Sequence, residues 1–135
     1  MSHAQKDPTG VMMRLVWKLV QTEMIMGTPP TQADMKLIAV LRRETDKKIA
    51  DFYEANPHLK PGGVGPLTRM GKFVQTLEQF RNAEKTYWSS RTKDNFQLMH
   101  SYFSIIGNDL DSYFNQFPDQ SPEDRKKMLQ PALFA

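Results

Sequence analysis

Apolar and polar positions along this chain repeat every three to four residues, and the strongest instance runs from Asn95 to Phe117. Phe96, Met99, Phe103, Ile106, Leu110, Tyr113, Phe114 and Phe117 follow steps of three and four, which at about 100° per residue stack into one stripe. Asp109, Asp111, Gln97 and Asn108 fall off it. The spacing predicts an amphipathic helix of roughly six turns with an aromatic seam buried against other helices. Gly107 sits inside it at a cost of about 1 kcal/mol relative to Ala, which predicts a close helix contact at that point.

The same periodicity sets the rest of the chain. A first helix starts near Pro8 or Thr9 and stops at Gly27, with Pro29 and Pro30 behind it. Its apolar positions include Val11, Met12, Met13, Leu15, Val16, Trp17, Leu19, Val20 and Met24, and they leave only a narrow polar strip of Arg14, Lys18 and Gln21. So wide a face suits a central core helix, a subunit or partner interface, or a membrane-surface helix. Thr31 with Asp34 is an N-cap signature for a second helix that runs to about Asn56, where Pro57 forbids continuation. Met35, Ile38, Leu41, Ile49, Phe52 and Tyr53 form its inner face, with Lys36, Arg43 and Lys47 as a basic ridge opposite.

His58 to Pro66 reads as the one substantial loop, and a third helix follows from about Pro66 to Ser89. Its inner face carries Leu67, Met70, Phe73, Val74, Leu77, Phe80, Tyr87 and Trp88. Residues 89–94 are polar, and the pattern allows either a short turn there or one fused rod. Pro118 ends the fourth helix, and Ser121, Pro122, Glu123 and Asp124 open a short fifth one to about Gln130, leaving Leu133 and Phe134 as a tail able to pack back. No strand-like alternation, repeat or low-complexity tract is present. The expected fold is an all-α bundle of four main helices plus a short C-terminal helix, in a single domain over residues 1–135.

Composition narrows the class. Hydrophobic residues make up 39% and charged residues 24%, as in a globular protein with a real core, and the absence of cysteine excludes a disulfide scaffold and thiolate metal sites. Neither a signal peptide nor a membrane span is expected, which points to an intracellular or virion-internal protein. The net charge of +3 is unevenly spread: residues 1–95 hold 15 Lys and Arg against 10 Asp and Glu, whereas residues 96–120 hold none against 3. That asymmetry permits a polyanion-facing side.

Signatures of catalysis are weak. His3, His58 and His100 form no His-x-x-x-His pair, and no spacing of Ser, His and Asp recommends a nucleophile. No metal and no cofactor is expected. Glu78, Glu84, Asp109 and Asp111 could supply a carboxylate pair, but nothing singles them out from a solvated surface. Gly62, Gly63 and Gly65 precede a helix start, where free N–H groups receive phosphate. Yet five residues separate Gly65 from Gly71 instead of four, and Phe73 stands where a magnesium-binding hydroxyl belongs, so a nucleotide loop is disfavoured against a plain connection or non-specific phosphate contact with Lys60, Arg69 and Lys72. The second-helix ridge divides in the same way. Arg42 with Asp46, Glu44 with Lys48, and Lys47 with Asp51 have the i to i+4 spacing of a solvated face.

In outline the chain resembles the major coat proteins of rod-shaped and filamentous archaeal viruses. The likeness lies in a cysteine-free, mildly basic, all-helical chain of this length, with Gly-Val-Gly-Pro from Gly63 to Pro66 opening a helix and a Pro-broken C-terminus after Tyr113, Phe114 and Phe117. It implies many copies wrapping double-stranded DNA through helix side chains and backbone amides, without catalysis. The leading expectation is therefore a non-enzymatic, self-associating protein that contacts a nucleic-acid backbone through Arg14, Lys18, Lys36, Arg43, Lys47, Arg69 and Lys72. The competing expectation is a small adaptor or inhibitor that docks a protein partner on its Met-rich first helix.

Overall fold

The structure, a computed structural model, describes residues 8–25, 31–60 and 68–126. Four long helices carry it: α1 (Pro8–Ile25), α2 (Gln32–Ala55), α3 (Arg69–Ser89) and α4 (Lys93–Gln116). Single 3-10 turns follow α2 (Pro57–Leu59) and α4 (Pro118–Gln120), and residues 123–126 begin the short C-terminal helix. Consecutive helices pack side by side and α4 closes back on α1. The result is an up-down-up-down bundle, as short connections favour. One end holds the starts of α1 and α3 and the finishes of α2 and α4; the rim at the other end holds the reverse.

Side-chain caps set three of the boundaries. The Thr31 hydroxyl accepts from the Asp34 N–H while the Asp34 carboxylate accepts from the Thr31 N–H, a full capping box. Thr68 caps α3 through the Gly71 N–H, so the described helix starts at Arg69, later than the expected Pro66. Pro66 itself lies outside the described residues, as do Gly27, Pro29 and Pro30, the glycines of the Gly-Val-Gly-Pro turn, and Leu133 and Phe134. Thr92 caps α4, and the Asn95 side-chain amide donates to the Ser90 carbonyl. Residues 90–92 are thus a turn, and α3 and α4 are separate helices.

A single buried cluster draws on all four helices: Val16 and Leu19 from α1, Ile38 and Leu41 from α2, Val74, Leu77 and Phe80 from α3, Ile106, Leu110 and Phe114 from α4. The wide apolar face of α1 is consumed here, with Met12, Met13 and Trp17 also buried. Two expectations need correction. The α4 seam is buried only from Ile106 to Phe114; Phe96 and Phe117 at its two ends stay 46% and 43% exposed. Met35 is 57% exposed, because it flanks the row Ile38, Leu41, Thr45 and Ile49 at the rim instead of continuing it.

Gly107 also departs from expectation. It lines a cavity of about 340 Å³ between α1 and α4, and a Cβ built there meets nothing within 4 Å among the described residues. With no close approach to protect, Gly107→Ala is expected to stabilise the protein by about 0.5–1 kcal/mol in urea unfolding, through helix propensity and a less disordered unfolded chain. A loss of stability would show that the helix does need a bare backbone at this point. Gly10 is the opposite case: a Cβ there collides with the Gln120 amide, which bonds Arg14.

Candidate nucleic-acid interface

The seven cations named from the sequence fall into three groups. Arg14 and Lys18 on α1 face the C-terminal segment: Arg14 Nη1 donates to Gln120 Oε1 at 2.6 Å, and Lys18 Nζ lies 3.9 Å from an Asp124 carboxylate oxygen. Both tie the chain's last described turn to α1. Arg69 and Lys72 open α3 at the same end of the bundle, on a cavity of about 480 Å³ lined by Met13, Met70, Phe73, Tyr113 and Phe117. Arg69 spans to α4, donating to Gln116 Oε1 at 2.9 Å and Ser112 Oγ at 3.2 Å. Partial burial raises the Asp109 carboxyl in this cavity above its ordinary range, against the pull of Arg69. An anion entering would exchange neutral partners of Arg69 for a charge-assisted bond.

Lys36, Arg43 and Lys47 form the third group, exposed on the outer face of α2. At 1.5 Å per residue they extend over about 16 Å of one helix face. None of the three has an ion-pair partner among the described residues. The i to i+4 pairs expected to neutralise α2 are not formed. Arg42 instead turns inward, donating from Nε and Nη2 to Glu23 at 3.2 and 3.1 Å and from Nη2 to Glu84 at 3.2 Å. Asp46 takes a bidentate pair from Arg81 at 2.8 and 3.1 Å, with Lys85 at 3.4 Å. The reason is geometric: Arg42 and Asp46 lie on the flank of α2 that meets α3, where buried opposite charges hold them more strongly than a solvated neighbour does.

This interhelical network was hidden in the sequence. Glu84, read there as surface, is only 2% exposed, and Arg81 Nη1 donates to it at 2.9 Å. Glu23 lies within hydrogen-bonding reach of Glu84, and its carboxyl is pushed up to about 8, chiefly by burial, then by Glu84, against Arg42. Two buried carboxyls side by side hold one proton between them far more readily than two negative charges. The signal available in the sequence was the spacing Arg81 to Glu84 on a helix whose neighbours are apolar.

Sequence reasoning also passed over an aromatic patch at the α3–α4 turn. Trp88, placed on the inner face from periodicity, is 48% exposed. The Arg91 guanidinium lies 4.5 Å from its ring centre and that of Arg42 5.8 Å. Interleaving of Tyr87, Trp88, Arg91, Lys93 and Phe96 was the legible signal.

The Met-rich face of α1 offered to a protein partner is filled by this chain's own helices, with Met24 in the last turn left outside. Among the described residues no group of three His, Asp or Glu side chains is placed to hold a metal ion, and no helix is long and apolar enough to cross a membrane. Comparison with protein-family models, characterised proteins and solved structures gives no match.

Proposed function

We propose that this protein is a non-enzymatic, self-associating helical protein that holds a nucleic-acid backbone in the manner of a viral coat or nucleoprotein. The outer face of α2 is its main phosphate-contacting surface. The observation that carries the reading is the row Lys36, Arg43 and Lys47, exposed and without an ion-pair partner among the described residues, while the neighbouring acids of α2 fail to neutralise it. Cations already paired must break a bond before they meet a phosphate; these three lose only water. Self-association is supported by the apolar rim, where Met24, Met35, Leu37 and Val40 are exposed.

Three phosphate contacts predict a fall in log K with log salt of slope about −2 to −3. Double charge reversal, Arg43→Glu with Lys47→Glu, is expected to abolish retention on immobilised nucleic acid at about 0.1 M salt. Its urea midpoint should stay unchanged, because both side chains are exposed. Undiminished retention by a folded double variant would end the assignment of α2. Association that ignores salt altogether would instead mark an apolar docking protein.

A further inference from the structure

The rings at the α3–α4 turn form a connected series from core to surface. Phe80, fully buried, lies 5.9 Å from Phe103; Phe103 stacks on His100 at 6.3 Å, and His100 on Phe96 at 6.0 Å. Tyr87 then joins Phe96 to Trp88, edge-on, at 5.7 and 5.6 Å. The buried end anchors the series while Phe96 and Trp88 keep nearly half their surface in water. Sealing a helix turn does not require two large rings half in solvent, and such exposure is a usual mark of a binding surface.

The charges around these rings select the partner. Arg91 lies over the Trp88 ring and Lys93 opens α4 two residues further on, and neither has an ion-pair partner among the described residues. Asp94, exposed in the first turn of α4, is the acidic residue nearest them in sequence. Arg42 reaches the Trp88 ring from α2, so the patch touches that helix. Flat rings beside exposed cations are the combination that receives unpaired bases and their phosphates, whereas duplex DNA offers no free base face.

We infer that the Trp88–Phe96 patch, with Arg91 and Lys93, is a stacking platform for the unpaired bases of single-stranded nucleic acid. The inference rests on the proposed nucleic-acid reading and specifies it. Rings fixed before binding lose little freedom when a base stacks, so affinity gathers on few residues.

The test uses the full chain with 15-nucleotide oligothymidylate, oligouridylate and a duplex of equal length at low salt, read by tryptophan emission. Trp88 is 48% exposed with Arg91 over its ring, which a stacking base would displace, and Trp17 is buried. Saturation with either single strand should quench a substantial part of the emission, and Trp88→Phe should remove that quenching. Trp88→Ala should weaken single-strand binding by about 5- to 150-fold, the equivalent of one stacked base, and leave duplex binding within twofold. Circular dichroism confirms that the exposed substitutions keep the fold. Duplex binding without Trp88 quenching, or equal weakening of strand and duplex, overturns the platform while leaving the α2 reading intact. Absence of all nucleic-acid binding overturns both. A blue shift of Trp88 that grows with protein concentration and ignores oligonucleotide would assign the patch to self-association instead.

Discussion

Arg81→Met is expected to lower stability by about 3–5 kcal/mol in urea unfolding, among the largest effects of any single substitution in this chain. Arg81 is nearly buried and satisfies two acids at once, Asp46 bidentately from α2 and Glu84 on its own helix. Met keeps much of the volume but leaves Glu84, itself buried, with Arg42 alone at 3.2 Å. The cost is that of a stranded charge, not the worth of the bond. Adding Glu84→Gln to Arg81→Met should therefore recover most of the loss, because removing both charges of a buried pair is often near neutral. Arg43→Met, on exposed α2 surface, should stay within about 0.5 kcal/mol. A loss below about 1 kcal/mol for Arg81→Met would mean that the network is solvated in practice.

The position of these acids explains what the sequence could and could not disclose. Helix type and the α2 boundaries follow from local chemistry: the Thr31 and Asp34 capping box and the Pro57 stop act within a few residues, so they are legible without knowing the neighbours, whereas the pattern leaves the break between α3 and α4 open. Burial of Ile106, Leu110 and Phe114 follows from periodicity. By contrast, Arg42 and Glu84 read as ordinary surface charge and Arg81 draws no reading, and only the packing of α1, α2 and α3 turns the three into a buried cluster. The choice of Arg42 between Asp46 at i+4 and Glu23 on another helix is a contest of dielectric environments. A single sequence contains no term for it. Trp88 and Phe96 were misplaced for a related reason: periodicity assigns a face, but it does not reveal that the bundle ends there.

The ionisable groups make the same cluster responsive to pH. Glu23 in the folded protein holds its proton to about pH 8, far above its ordinary 4.5, with burial as the main cause and Glu84 next. Below pH 4.5 both folded and unfolded chains are protonated at this site, and it costs nothing. Between the two values the unfolded chain has released a proton that the folded chain keeps, so stability falls as pH rises, by up to about 1.4 kcal/mol per unit for one proton. The fall levels off above about pH 8. Its total is a few kcal/mol, enough to matter in a domain of ordinary stability.

Two charged groups reach Glu23 directly, Arg42 from α2 and Glu84 from α3, and His100 on α4 lines a cavity of about 170 Å³ with it. Glu23→Gln separates its contribution from theirs. Gln reproduces the protonated acid, with its oxygen accepting from Arg42 and its amide donating towards Glu84. The variant should match the parent near pH 5, exceed it at pH 8, and show a flatter stability profile between. Parallel profiles for the two proteins would place the titration elsewhere. The expected direction also links stability to location in the fold. Glu23 lies in the last turns of α1, next to the exposed Met24 at the rim, so its deprotonation acts at the end of the bundle that carries the apolar surface.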